Sequence, residues 1–574
     1  METCRQSDTS VYGINYISLE GVFQLTNTFS NKYRQEAKQQ LNKQFDLIIV
    51  GGGITGAGIA LDAVTRGLNV ALFEMQDFAA GTSSRSTKLV HGGLRYLKNF
   101  EIKMVAEVGK EREIVYENGP HITTPEWMLL PFYDEGTFGP FTTNIGLRLY
   151  DFLAGVKKKE RRKMLNKEET LNNEPLLRRE GLAGSGYYVE YKTDDARLTM
   201  EILKKAVENG AVAFNYMKVD QFLYRDGKVV GVEAVDQLND ESVLVYADKV
   251  VNAAGPWVDE LRAKDNPSLK KPLFHTKGVH LVFDNIVFPL TQAIYFDSPD
   301  GRMIFAIPRD GKTYVGTTDT AYTGDLENPT ASLQDRTYLM RAIHEMFPTV
   351  NVNEQDIESS WSGIRPLIQQ EGKDPSEISR KDEIFISDSQ LISIAGGKLT
   401  GYRKMAQSIV DLVASQWKSE NGRKLPESKT KKMPLAGGEV GGSKGFEQFK
   451  KKVLQSGYPE EMLEKWVNRY GANTEKLIEF YETAIHEHVF LEADIWAELM
   501  YTLECEAVYK PVDFFIRRTG ALFFDIEFVK KYKKPVIQEM KDYFQWDDQK
   551  VKQHTEELDK AIYEAQNPVK EELK

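Results

Sequence analysis

Along the first 44 residues polar side chains recur without any helical or strand period, and the first regular apolar run is Phe45-Asp46-Leu47-Ile48-Ile49-Val50. It predicts a buried strand. A glycine cluster follows, then a helix with small residues at Ala57, Ala60 and Ala63, then a second apolar run, Val70-Ala71-Leu72-Phe73, that stops at Glu74. Strand, helix and strand in this order predict one βαβ unit. From about residue 98 to 191 the pattern predicts amphipathic helices alternating with loops. Strand-like runs return from about 212 to 251 and from 275 to 318, where His280-Leu281-Val282-Phe283 and Met303-Ile304-Phe305-Ala306-Ile307 read as strands. The stretch Leu435-Ala436-Gly437-Gly438-Glu439-Val440-Gly441-Gly442 predicts a linker, and the rest of the chain reads as helix dense in Glu and Lys. The predicted organisation is a partly ordered extension over 1–44, a nucleotide-binding domain interleaved with a β-rich substrate domain over 45–430, and a helical domain over 431–574.

A chain of 574 residues exceeds what one core usually organises, so two or three domains are expected and a large cofactor can be enclosed. Asp plus Glu outnumber Lys plus Arg, 85 to 74, and the net charge of -11 argues against general attraction to nucleic acid or anionic lipid. Cys4 and Cys505 form neither a disulfide framework nor a thiolate site, which fits a reducing bacterial cytoplasm. His486 and His488 read as surface residues, and no metal is predicted. No apolar run approaches the roughly 20 residues that span a bilayer, so the chain is not expected to cross one. The first 44 residues have no apolar signal core and too few arginines for a mitochondrial transit peptide.

The strongest motif is Gly51-Gly52-Gly53-Ile54-Thr55-Gly56, set between strand and helix, with Glu74 at the end of the second strand. This is a dinucleotide fingerprint. Gly51 allows the tight turn, Gly53 lets backbone N–H groups approach a pyrophosphate, Gly56 lets helix pack on strand, and Glu74 suits an adenosine ribose. Two later strands also end at glycines: Val250-Val251-Asn252-Ala253-Ala254-Gly255-Pro256-Trp257, and Ile394-Ala395-Gly396-Gly397-Lys398-Leu399-Thr400. The second leads into a helix from about Tyr402, whose N-terminus suits negative charge on a reduced flavin ring. Between these lies Thr82-Ser83-Ser84-Arg85-Ser86-Thr87-Lys88-Leu89-Val90-His91-Gly92-Gly93-Leu94-Arg95-Tyr96, dense in hydroxyls and cations. Its hydroxyls suit a pyrophosphate and ribityl chain, His91 suits alcohol deprotonation, and Arg95 suits phosphate; a capped loop with a surface arginine is the plainer reading. Arginines also stand in Ser362-Gly363-Ile364-Arg365-Pro366, in Ser379-Arg380-Lys381, and in Ile307-Pro308-Arg309 before the turn Gly316-Thr317-Thr318-Asp319. A guanidinium matches a phosphate dianion, and Arg365 is favoured because Gly363 and Pro366 fix its backbone.

These ordered motifs, with Thr276-Lys277-Gly278-Val279-His280 and Asp513-Phe514-Phe515-Ile516-Arg517-Arg518, closely resemble the aerobic glycerol-3-phosphate dehydrogenases of bacteria from Phe45 onward. The resemblance implies an α/β fold: an FAD-binding Rossmann-like domain with a β-rich substrate cap of the glycine-oxidase and D-amino-acid-oxidase type, plus an α-helical C-terminal domain. It implies non-covalent FAD, with Arg95, Arg365 and Arg380 around the substrate phosphate and Tyr96, Lys277, His280, Thr318 and Lys398 near substrate or flavin.

The implied chemistry is oxidation of sn-glycerol 3-phosphate at C2, with the hydroxyl proton taken by a base as hydride moves to flavin N5. His91 is the preferred base, with Lys277 and His280 as rivals. Electrons are expected to pass to a membrane quinone, because the related oxidases that use oxygen and release hydrogen peroxide carry an extra mid-chain insertion. Contact with the inner face of the membrane would be peripheral, with Lys157 to Lys163 as a candidate patch or simply a solvated helix, and a homodimer is admitted as the assembly. A glycerol-3-phosphate oxidase that uses oxygen and produces hydrogen peroxide is the alternative, and a flavin amine oxidase and a non-enzymatic flavin-binding scaffold stand as the other readings.

Overall fold

The computed structural model describes residues 29–91, 102–134, 139, 143–144, 146–149, 160–269, 271–298, 300–369 and 382–569. Helix α1 (Asn31–Gln40) is started by Ser30, whose hydroxyl accepts the Tyr33 N–H at 3.1 Å. It is no loose appendage: Ala37 and Leu41 are buried, and buried Arg34 pairs with Asp236 at 2.7 Å.

Strand β1 (Phe45–Val50) leads through the glycine turn into α2 (Ile54–Thr65) and on to β2 (Val70–Phe73). Its near-continuous apolar run is what a parallel strand covered on both faces requires. β1 pairs in parallel with β2 on one side and with β5 (Glu241–Asn252) on the other, and β9 (Ile392–Ala395) extends the parallel array beyond β5. Helices α2, α3 (Asp195–Glu208) and α4 (Tyr402–Asn421) share the apolar core on this sheet. Gly58 sets how closely α2 and α4 approach, since a Cβ there would stand 2.9 Å from the Tyr402 ring.

The second sheet corrects the helix-and-loop expectation for residues 98–191. Two long strands stand there, β3 (Thr123–Tyr133) and β4 (Leu182–Thr193), paired antiparallel almost end to end. Pro125 and Pro131 in β3 and Gly184 and Gly186 in β4 hid the strand pattern, because Pro cannot donate to a ladder and Gly has no side chain to mark a face. Beyond them lie β6 (Leu273–Asp284), β7 (Lys312–Gly316) and β8 (Ile357–Ile368). β6 and β8 are in register from Leu273 opposite Ile368 to Val282 opposite Ser359, so Gly278 faces Gly363 and His280 faces Trp361.

The glycine cluster at 435–442 is a packed junction rather than a linker. Leu435 and Ala436 are buried, and a Cβ on Gly437 would lie 2.4 Å from the Tyr470 carbonyl, one on Gly438 2.3 Å from that of Asn118. Backbones meet there too closely for any larger residue. Helices then run from Gly442 to Gln566, interrupted by a π-helical turn at Asp513–Arg518. Phe514, Phe515, Leu522, Phe523 and Phe524 share one apolar core with Val282, Ile307, Tyr314 and Trp361 of the second sheet.

Candidate active site

A cavity of about 370 Å³ lies between the two sheets, walled by the β1–α2 turn, the 80–91 loop, the ends of β5 and β9, and the inner faces of β6 and β8. At one end the wall is mostly backbone. Gly51 has φ of +114°, and a Cβ on it would meet the Ala253 carbonyl at 2.5 Å. Gly53 is the first residue before α2, and a Cβ on Gly56 would stand 1.9 Å from the Gly51 carbonyl, so this glycine sets helix-to-turn distance and does not itself line the cavity. Glu74 holds the turn, accepting the Gly52 N–H at 2.7 Å and the Gln76 N–H at 2.8 Å, and burial raises its pKa above the ordinary glutamate range.

The hydroxyl-rich loop is stitched into this frame by its own side chains. Ser83 accepts the Ile54 N–H at 2.9 Å, and Thr82 donates to the Ile364 carbonyl at 2.7 Å, tying the turn to β8. Ser86 donates to Asp195 at 2.6 Å, and buried Lys88 pairs with the same carboxylate at 2.6 Å while donating to the Ser84 carbonyl. Thr55, Thr82, Ser83, Ser86, Leu89 and His91 line the cavity; Ser84 and Lys88, expected there, are buried behind it. Asp195 was not anticipated, although the paired acids Asp194-Asp195 at the start of α3 are a legible helix-capping signal.

At the other end side chains form the wall. Arg365 donates to Asp319 Oδ1 and the Thr318 carbonyl at 3.1 Å each and to Thr317 Oγ1 at 2.9 Å. Gly278 leaves room for that guanidinium, since a Cβ there would be 2.3 Å from Nη2, and Gly316 leaves room for the His280 ring. His280 stacks on Trp361 at 4.6 Å and 11°, with Nε2 3.0 Å from Thr87 Oγ1. Burial first, then the cations Arg365 and Lys88, push its pKa well below the usual histidine value, so the ring is neutral. His91 lines the same space with its ring against the edge of Phe305, which stacks on Tyr295, and its carbonyl accepts from Thr400.

Successive side chains of a strand face opposite ways. Gly278 and His280 therefore line the cavity while Lys277 between them does not, and its ammonium sits 2.7 Å from Asp335. Lys277 is corrected from a rival base near the substrate to half of a buried ion pair. Ala253, Gly255, Trp257, Gly397, Lys398, Leu399, Thr400, Thr318 and Arg365 all reach the wall, and so does Arg302, which pairs with Asp300 and had no local motif to mark it. Arg309 is instead engaged with Asp194. Arg95, Tyr96, Arg380 and Lys157 to Lys159 lie outside the described residues. Lys163 begins a short strand, Lys163–Asn166, rather than a helix. His486 and His488 are exposed, as expected. Among the described residues no helix is long and apolar enough to cross a membrane.

The backbone-lined end fits the pyrophosphate of a dinucleotide, because Gly51 and Gly53 present bare backbone to the cavity at the N-terminus of α2. The strand-end loops at 253–257 and 396–400, which line the same cavity, fit a flavin beyond it.

Residues 46–387 match the family described as FAD dependent oxidoreductase, and residues 428–551 match the C-terminal domain of alpha-glycerophosphate oxidase. An aerobic glycerol-3-phosphate dehydrogenase of Bacillus subtilis is 58% identical over 554 residues, covering 95% of this chain and 100% of its own. One from Staphylococcus epidermidis is 55% identical over 545 residues, covering 94% and 98%. Among solved structures, the glycerol-3-phosphate dehydrogenase of Bacillus halodurans, complexed with FAD, superposes with a TM-score of 0.82 at 47% identity over 94% of this chain and 99% of that one.

Proposed function

We propose, from the premise that the chain belongs to the FAD dependent oxidoreductases and among them to the aerobic glycerol-3-phosphate dehydrogenases, that it oxidises sn-glycerol 3-phosphate to dihydroxyacetone phosphate and passes the electrons to a quinone. The observation that carries the reading is the cavity itself, in which a backbone cradle for a dinucleotide and a cationic, histidine-bearing corner share one space.

FAD, when bound, supplies the two-electron acceptor for the hydrogen on C2. The residues at hand to hold it are those of the 51–56 turn, Glu74, Thr82, Ser83, Ser86, the 253–257 loop and Gly397 to Thr400. The N-terminus of α4, twenty residues long, points a favourable dipole toward that last segment. Arg365 holds the substrate phosphate, with Arg95 and Arg380 beside it. Its ties to Thr317, Thr318 and Asp319 fix the guanidinium before substrate arrives, so little entropy is lost on binding. Tyr96, Thr318 and Lys398 orient the two free hydroxyls. His91 takes the hydroxyl proton while His280, neutral and stacked, serves as a hydrogen-bonding wall. The bond changes are one C–H and one O–H broken at the substrate and one C=O formed, with hydride and proton leaving separately.

Delivery to a quinone calls for peripheral contact with the inner face of the cell membrane by an otherwise cytoplasmic protein, with a homodimer as the assembly. The test is anaerobic addition of sn-glycerol 3-phosphate to the yellow protein, then reoxidation by oxygen or by a soluble quinone. Rapid bleaching, slow recovery in oxygen and fast recovery with quinone are expected. Fast peroxide release would make the protein an oxidase, and an unbleached flavin would overturn the substrate.

A further inference from the structure

The segment Asp513-Phe514-Phe515-Ile516-Arg517-Arg518 belongs to the helical C-terminal region and does not itself line the cavity. Its two arginines nevertheless converge on one carboxylate of the cofactor-binding half. Arg518 donates through Nη1 to Asp77 Oδ2 at 2.8 Å and through Nη2 to Oδ1 at 2.9 Å, and Arg517 Nε donates to Oδ2 as well. Neighbouring residues of an α-helix point about 100° apart. Here the turn is π-helical, closed by the Thr519 N–H to the Phe514 carbonyl at 2.9 Å, and both guanidinia reach the same acid. Asp513 pairs with Arg517 at 2.6 Å, and Glu506 lies 3.8 Å from Arg518, so both cations sit in a buried ionic network.

Asp77 is three residues past Glu74, at the start of the loop that backs the glycine turn. Its carbonyl accepts the Ala80 N–H, the Ala79 N–H is given to the Gly52 carbonyl at 3.1 Å, and Phe78 packs where a Cβ on Gly52 would be 2.7 Å from its ring. Ala79 is held at φ of +64°, a conformation that a non-glycine residue keeps only where its surroundings enforce it. Ala80 and Gly81, next in line, form cavity wall. A rigid path therefore runs from the C-terminal arginines through Asp77 to the turn at Gly51 to Gly53. Burial alone would raise the Asp77 pKa, but Arg518 and Arg517 outweigh it and hold it at about 2, so the pairing stays ionic across the physiological range.

We propose that Arg517 and Arg518, acting through Asp77, are positioning residues that keep the glycine turn in its FAD-retaining shape, so that the C-terminal helical region governs how long the cofactor stays bound. This rests on the reading of the cavity as the FAD site. Release of FAD from the diluted holoenzyme, followed by the rise in flavin fluorescence, tests it in wild type, in the isosteric Asp77→Asn, in Arg517→Gln/Arg518→Gln, and in Glu498→Gln. Glu498 anchors a comparable buried ionic group, with Arg469, Lys465 and Tyr470, in the same helical region but away from the cavity.

The expected result is release about tenfold faster or more in Asp77→Asn, faster still in the double variant, and at the wild-type rate in Glu498→Gln, together with a changed visible circular dichroism of the flavin that remains. An unchanged rate in Asp77→Asn would overturn the proposal, and so would an equal acceleration in Glu498→Gln, which would reduce the arginines to general stability. Should the double variant not fold, Asp77→Asn decides alone. A wild-type protein that holds no FAD would instead sink the reading of the cavity.

Discussion

At the nucleotide end of the cavity the wall is a backbone turn, in which an added Cβ on Gly51 or Gly56 would stand less than 3 Å from a carbonyl oxygen. At the substrate end it is side chains, His280 from β6, Thr318 from the turn after β7 and Arg365 from β8, drawn from positions up to 85 residues apart. The backbone end tolerates no added volume but is indifferent to most side-chain chemistry. The side-chain end has room, and depends on charge and on which strand face each residue occupies. The two are joined by few direct bonds, Thr82 to the Ile364 carbonyl and Thr87 to His280 among them.

The contrast can be broken most severely at Arg365. Arg365→Met removes one partner of a half-buried charged arrangement, for which losses of about 2–5 kcal/mol are usual, so kcat/KM for sn-glycerol 3-phosphate should fall about a hundredfold, through KM above all, while flavin absorbance per protein stays constant. Loss of flavin in that variant would mean the ends are not separable. At the opposite end Gly56→Ala drives a methyl into the Gly51 carbonyl, and overpacking of this kind costs about 1–3 kcal/mol. FAD affinity, measured by titrating the apoprotein, should drop roughly tenfold, with KM on the reconstituted fraction unaffected.

Acid sharpens the comparison. His280 is held neutral by burial, and its folded pKa lies below the unfolded value of about 6.5, so the unfolded chain binds the extra proton first. Stability is intact above that value and falls as pH drops below it, by up to about 1.4 kcal/mol per pH unit for one such group. His121, buried beside Lys204 and Arg197 and pushed down to about 3, acts in the same sense. Urea unfolding of His280→Gln between pH 5 and 7 should show a shallower pH slope than wild type; an identical slope would mean that His280 picks up no proton on unfolding. The smallest effect is expected at the bridge between the ends. Thr82→Val deletes one neutral hydrogen bond, about 1 kcal/mol, and should lower stability by that much while changing FAD affinity less than about fivefold.

What was legible in the sequence follows the same division. The turn at Gly51 to Gly56 and the acid at Glu74 lie within one short βαβ unit, and local backbone geometry demands glycine at 51 and 56, so spacing alone was informative. The resemblance brought Lys277 and His280 forward together, but only the β6 pleat separates them, placing the lysine on the far face against Asp335. Asp195, which organises Ser86 and Lys88 from 109 and 107 residues away, could not be tied to that loop by any local rule. β3 was masked by its own prolines. The glycines at 437 and 438 look like a flexible joint in sequence, and become a close contact only when the Tyr470 and Asn118 carbonyls are in place.

The ion pair between Asp77 and Arg518 spans 441 positions of the chain. At roughly 5–20 residues per second of synthesis, the turn that receives the cofactor leaves the ribosome some 20 to 90 seconds before its clamp exists. A nascent chain arrested short of Arg517 should therefore exchange FAD freely, and tenure of the cofactor begins only after nearly the whole polypeptide has been made.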